Sequence, residues 1–279
     1  MSLPPGAREI RRSGGGDINE AWHLTLADGR DAFVKTRTGA RAGEYATEAF
    51  GLRWLSEPGA LRVPSVLEVG EDYLALEWIE SGRLDAAGAE ELGQGLAAIH
   101  MAGSPCFGDP RPRLAEPTRF GSLALPNEAA PDWPCFFVER RLRPLARIAV
   151  EQGWLTAAGA SALQRVCERA SGLAGPVEPP ARLHGDLWSG NVMADVHGRP
   201  LLIDPAVYGG HREVDLAMLR LFGAPSERVF DAYHEVFPLA SGWQERVELW
   251  QLPPMLVHGV LFGGGYREAA QRMAVRYAG

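Results

Sequence analysis

The sequence lacks what would send a chain into a membrane, an oxidising compartment or a nucleic-acid complex. No apolar run approaches the length of a bilayer span, and the N-terminal residues have no apolar signal-peptide core, so neither membrane insertion nor export is expected. Cysteine is scarce. Cys106, Cys135 and Cys167 are widely spaced and in no CxxC pair, which points to reduced thiols in the cytoplasm, each a small buried hydrophobe. Positive charge is in deficit, 28 Lys+Arg against 35 Asp+Glu, for a net charge of -7 and a pI near 5.6. That balance argues against a nucleic-acid partner, which needs a basic face, but not against a nucleotide, whose phosphates need only local positive charge. Internal repeats and long low-complexity segments are also absent.

What is present is a 279-residue chain, 46% hydrophobic and 23% charged, long enough for one large domain or two lobes. Its most informative stretch is Leu183-His184-Gly185-Asp186-Leu187-Trp188-Ser189-Gly190-Asn191-Val192, followed by Leu201-Leu202-Ile203-Asp204-Pro205. The first sets a carboxylate, Asp186, five positions before an amide, Asn191, where two glycines discourage helix; the second ends an apolar strand in Asp204. An acid to orient or deprotonate a hydroxyl, with an amide and a second acid to hold a hard cation, is the set phosphoryl transfer needs. Mg²⁺ takes oxygen ligands and shares itself with substrate phosphates, so one Asn and one Asp suffice. The bland reading, a turn of small residues ending a strand, loses ground because the second acid follows. His197-Gly198 between two short apolar runs predicts a hairpin that brings Asn191 and Asp204 to neighbouring strand ends.

Earlier in the chain, Ser13-Gly14-Gly15-Gly16 frees the backbone to approach a ligand, although a triple glycine is also what a flexible turn looks like. Alternation over residues 20–26, Asp28-Gly29, and the return strand Ala32-Phe33-Val34-Lys35 predict a hairpin ending in a lysine. Gly14, Gly15 and Gly16 with Lys35 would present backbone amides and an ammonium to phosphates. Residues 42–57 read as a helix with Tyr45, Ala49, Leu52 and Leu55 inward. Glu44 and Glu48 share a face of it, either as a solvated acidic pair or with Glu48 aiming Lys35. Strands follow at 66–69 and 73–79, and the polar connector after Ile79 marks a lobe boundary, dividing 1–79 from 80–279. Backbone groups around Glu77, Trp78 and Ile79 could hold a purine. The remainder reads as mostly helical: 86–100, 134–153, 156–173, and two or three helices after Glu213. His100, ending a helix, reads as a structural hydrogen-bonder.

The motifs His-Gly-Asp-Leu-Trp-Ser-Gly-Asn, Ile-Asp-Pro-Ala and Tyr208-Gly209-Gly210-His211-Arg212-Glu213-Val214-Asp215 resemble the fructosamine (ketosamine) kinase family. The resemblance extends to Gly-Gly-Gly-Asp-Ile-Asn, Phe-Val-Lys at 33–35, Glu48-Ala49, Phe120-Gly121 with Asp132-Trp133, and Phe262-Gly263-Gly264-Gly265-Tyr266-Arg267. It implies an α+β, bilobal protein-kinase-like fold related to aminoglycoside phosphotransferases, with a small β-rich N-lobe and a mainly helical C-lobe. It further implies ATP and Mg²⁺ as cofactors, Asp186 as catalytic base, Asn191 and Asp204 as metal ligands, Lys35 on phosphate with Glu48 as its partner, and residues 77–79 as the adenine hinge. Asp215 would brace the catalytic loop from a helix start. The implied activity is transfer to the C3 hydroxyl of ketosamines, free or protein-bound, which labilises the adduct and releases the amine. Trp188, Tyr208, His258 and Tyr266 are candidate substrate contacts, each with packing as the alternative. The enzyme is expected to be a cytoplasmic monomer with no nucleic-acid or membrane partner. Some relatives carry a redox-active cysteine after the three glycines; Asp17 stands there here, so that control is not expected. Two rivals remain: a kinase of the same fold for an aminoglycoside or other sugar, and a nucleotide-binding pseudokinase module.

Overall fold

The computed structural model describes residues 3–13, 20–111 and 117–279. Gly14, Gly15, Gly16 and Asp17, with the expected phosphate loop, lie outside the described residues. Strands β1 (Arg8–Ser13), β2 (Glu20–Thr25) and β3 (Asp31–Thr36) come first, followed by helix α1 (Glu44–Ser56) and strands β4 (Val66–Val69) and β5 (Tyr73–Glu77). They form one antiparallel sheet in the order β1-β2-β3-β5-β4. The β2–β3 turn is a three-residue loop rather than a tight two-residue one: Leu26 and Arg30 are paired at 2.8 Å around Ala27-Asp28-Gly29, with Gly29 at φ 85°. Glycine supplies the left-handed residue that such a loop requires. Strand alternation sends Ala32 and Val34 to a small core with Leu24, Leu26, Tyr73 and Ala75, and sends Phe33 to the opposite face. Lys35 shares that opposite face, toward α1.

Past β5 the chain turns helical. Helix α2 (Ala86–Met101) is capped by Asp85, which accepts from Gly88 N at 2.8 Å. A short hairpin, β6 (Thr118–Phe120) with β7 (Leu123–Leu125), precedes the stretch expected as one helix near 134–153. That stretch is three pieces: α3 (Trp133–Phe136), a π-helical segment at Phe137–Leu142, and α4 (Arg143–Glu151). Helix α5 (Ala157–Leu173) leads to β8 (Ala181–Leu183), β9 (Val192–Ala194), β10 (Pro200–Leu202) and β11 (Tyr208–Gly210). Four helices end the chain, not two or three: α6 (Glu213–Leu221), α7 (Glu227–Val236), α8 (Trp243–Leu261) and α9 (Gly265–Ala278). The extra break lies at the Gly223–Ser226 turn, after which Ser226 caps α7.

The architecture is bilobal α+β, as expected. One core joins the lobes: Ala49, Leu52 and Leu55 of α1 and Leu74 and Leu76 of β5 pack with Leu92 and Leu96 of α2, Leu187, Leu202 and Val207. A second, around Trp133, Phe136, Phe137 and Trp250, fills the far end of the helical lobe. The three cysteines are free and half-buried rather than fully buried. No helix among the described residues is long and apolar enough to cross a membrane.

Candidate active site

Two β-ladders aim the catalytic stretch. Strand β8 pairs with β11, Leu183 opposite Tyr208, and delivers His184-Gly185-Asp186 to the interlobe cleft. Gly185 has φ 84°, and a Cβ there would collide with the Ala206 carbonyl; only glycine allows the two loops to approach this closely. The β9–β10 hairpin turns at His197-Gly198, and Ile203 N donates to Asn191 O at 3.1 Å, setting Asn191 and Asp204 side by side at its open end.

Polar contacts lock the loop. His184 is buried; its Nε2 donates to Ile203 O at 2.8 Å and its Nδ1 accepts from Asp186 N at 3.3 Å. Burial holds this imidazole below the usual histidine range, and hence neutral, in keeping with that tautomer. Asp215, in the first turn of α6 and fully buried, accepts from the backbone of His184 at 2.7 Å and Gly185 at 3.0 Å. His100 reaches Asp215 at 3.2 Å and Tyr233 at 2.8 Å, the structural role read for it.

At the cleft, Lys35 Nζ donates to Glu48 at 2.8 Å and to Asp204. Glu48 therefore pairs with Lys35, whereas Glu44, on the same helix face, binds Arg37. Burial pulls the ammonium down, yet the two carboxylates together hold Lys35 above its ordinary range. Asp186 is pushed up to about 7, first by desolvation, then by the charges of Asp204 and Asp215. Asn191 donates its amide nitrogen to Asp186 O at 2.7 Å and to Asp186 Oδ2 at 3.4 Å, which leaves its amide oxygen as the side-chain atom to offer a cation. Asp204 adopts φ 55°, a left-handed conformation that aspartate tolerates better than most residues. An amide oxygen and a carboxylate set together are an all-oxygen donor pair that fits a hard cation shared with phosphates.

The hinge residues divide. The Glu77 side chain binds Arg62 and accepts from Ser65 N at 3.2 Å, and its backbone N–H is spent on Ser65 O at 2.9 Å. Trp78 stacks on His23 with ring centroids 3.6 Å apart, so its indole seals the edge of the sheet. The backbone N–H of Ile79 makes no hydrogen bond among the described residues.

Of the four candidate substrate contacts, three converge. Trp188 meets Phe222 edge-on at 6.1 Å; Phe222 meets His258 at 5.0 Å; His258 meets Tyr266 at 5.1 Å and Phe262 at 5.5 Å. Trp188, Phe222 and Phe262 are 38%, 39% and 58% exposed, too open for a core. Tyr208 does not join them. It is buried between Phe136, stacked at 5.4 Å, and the Arg141 guanidinium, 4.5 Å from its ring. Phe222 and Phe262 were not singled out in the sequence. Phe262 stands in the Phe-Gly-Gly-Gly-Tyr-Arg run, a signal that was there; Phe222 follows an ordinary amphipathic helix and offered none. Also passed over was that Lys35 is the chain's single lysine.

A β-rich lobe with a buried lysine–glutamate pair, over a helical lobe whose loops bring Asp186, Asn191 and Asp204 beneath it, defines a kinase-like phosphotransferase. The fructosamine kinase family model matches residues 5–278. A protein-ribulosamine 3-kinase of Arabidopsis thaliana is 34% identical over 276 residues, covering 96% of this chain and 82% of that one. A solved structure from Thermobifida fusca, assigned as a fructosamine-3-kinase, superposes with TM-score 0.90 at 40% identity, over 98% of this chain and 93% of that one. An ADP-bound aminoglycoside phosphotransferase, at 16% identity and TM-score 0.64 over 98% and 93%, shares the fold alone. The chain belongs to the fructosamine kinase family, and it is an ATP-dependent phosphotransferase. Neither the aminoglycoside acceptor nor the pseudokinase module is favoured by these relationships.

Proposed function

We propose that the protein transfers the γ-phosphate of ATP to the C3 hydroxyl of ketosamines, adducts of the fructosamine or ribulosamine kind on amino acids or protein lysines. The observation that carries this reading is the exposed aromatic cluster that opens two residues beyond Asp186. Flat, polarisable rings beside a catalytic acid suit a sugar's C–H face and the amine substituent it carries. The Arabidopsis relative's assignment as a protein-ribulosamine 3-kinase supports the acceptor class.

In this reading Asp186 accepts the proton of the C3 hydroxyl as the oxygen attacks phosphorus. Lys35, aimed by Glu48, neutralises phosphate charge, and the free N–H of Ile79 receives adenine. Asn191 and Asp204 would hold Mg²⁺, which when bound neutralises charge on the phosphates. Trp188, Phe222, His258, Phe262 and Tyr266 hold the acceptor, while Tyr208 supports the loop from behind. Transfer is mostly positioning plus electrostatics, and each of these residues supplies one or the other. The lobes divide at residues 79 and 80, and the enzyme works as a cytoplasmic monomer, a setting to which its free thiols are suited.

The product's own chemistry completes the reaction. A phosphate on C3 is beta to C1, the carbon that bears the amine; enolisation across C1 and C2 expels inorganic phosphate, and water then hydrolyses the resulting imine. Ketosamine 3-phosphate plus water thus gives free amine, inorganic phosphate and a 3-deoxyosone. The test is a panel of ATP with ribulosamine, fructosamine, aminoglycosides and free sugars, read by phosphate transfer. Transfer confined to ketosamines is expected; transfer to aminoglycosides alone would defeat the assignment.

A further inference from the structure

Twenty-seven of the 28 cationic side chains are arginine and one is lysine. That lysine, Lys35, is 7% exposed, its amine set between Glu48 and Asp204 on the cleft floor. We propose that this composition keeps the enzyme out of its own substrate pool: it has no side-chain amine that a reducing sugar can reach, so only the chain's terminal amine can carry a ketosamine.

The chemistry is that of the adduct itself. An amine nitrogen adds to the open-chain aldehyde, water leaves to form the imine, and rearrangement yields the ketosamine; the balance is amine plus sugar giving ketosamine plus water. The nitrogen must be approachable. Lys35 has carboxylates of Glu48 and Asp204 against its nitrogen and a side chain only 9% exposed, so its amine is engaged and screened from a sugar. The guanidinium of arginine is delocalised and permanently protonated, and an aldose does not form this adduct on it.

A preference for bidentate ion pairs does not account for the bias. It explains the buried pairs Arg212–Glu178, at 2.8 and 2.9 Å, and Arg246–Glu213, at 2.9 and 2.5 Å. It does not explain Arg53 and Arg272, exposed and without an ion pair among the described residues, or Arg147, whose 3.8 Å contact with Glu151 a lysine would make as well. The benefit, sparing the enzyme from competing with its substrates, rests on the ketosamine reading; the resistance to glycation does not.

The test uses the full chain, incubated with ribose and without ATP, alongside the triple variant Arg143→Lys, Arg147→Lys, Arg276→Lys. These side chains are 54%, 73% and 60% exposed and are remote from the cleft. Intact-mass and peptide analysis should find at most one adduct per parent chain, on the terminal amine, with phosphotransferase activity retained. The variant should gain up to three more, which disappear when ATP is added. Adducts on Lys35, or activity lost in step with ribose exposure, would overturn the inference. Adducts confined to the introduced lysines that persist with ATP would instead overturn the ketosamine reading and the claim of self-exclusion with it, while leaving the resistance intact.

Discussion

At the residue scale the balance of forces is clearest at Asp186. Desolvation and two neighbouring carboxylates raise its pKa from 3.8 to about 7, near the working pH of a general base. The acid limb of kcat/KM for the free enzyme should therefore fall away below about pH 7. Asp186→Asn should retain ATP binding while losing turnover by about 10²- to 10⁴-fold. The same shift bears on stability. Because the folded pKa lies above the unfolded one, the carboxyl costs stability as pH rises from about 4 to about 7, and the cost is complete above that window. The asparagine variant should thus melt at a higher temperature than the parent at pH 8, with the difference vanishing toward pH 4. Equal melting at both pH values would contradict the burial argument.

At the scale of elements, helix starts and short ladders hold the catalytic loop. Asp215 accepts two buried backbone N–H groups from the start of α6, so Asp215→Ala leaves both unpaired. A loss of about 2–6 kcal/mol is expected, at about 1–3 for each orphaned donor, measured by denaturant unfolding. On the acceptor side, a Cβ on Gly190 would collide with the Trp188 indole folded over it. Gly190→Ala should displace that ring and raise the acceptor KM by up to about tenfold, in line with the worth of one aromatic contact, while the KM for ATP stays unchanged. These two segments also show what the sequence could and could not reveal. The loop motif, Asp204 and the Lys35–Glu48 pair were legible because their chemistry is local or runs through one strand and one helix face. The aromatic cluster was only partly legible: its five rings come from the catalytic loop and the ends of α6, α8 and α9, which meet through tertiary packing that no periodicity encodes. The π-helical break at Phe137–Leu142 was hidden for the same reason, since its residues keep an ordinary helical pattern. The partner of the Glu77 side chain was not legible either, since Arg62 is fifteen residues away and faces it only across the folded sheet edge.

At the scale of the whole molecule, the two lobes are joined by more than the connector. The apolar seam of α1, α2 and the loops after β8 and β10 is one continuous core, and Arg62 ties its rim. Its guanidinium binds Glu77 at the end of β5 and, at 3.3 Å, Asp195 in the β9–β10 turn, while its carbonyl accepts from Leu202 N at 3.1 Å. These pairs are partly exposed, so Arg62→Ala should cost at most about 1 kcal/mol of stability. It should nonetheless raise the KM for ATP several-fold, because it frees the nucleotide edge from the hairpin that carries Asn191 and Asp204; an unchanged KM would show that the lobes need no such tie. The central claim concerns where the phosphate goes, and it is tested most directly by following a ribulosamine-bearing lysine peptide with ATP through ³¹P NMR and amine release together. The account predicts one new phosphate ester that decays to inorganic phosphate as one free amine appears per ATP consumed. A stable ester with no amine released would place the phosphate on another hydroxyl and contradict it.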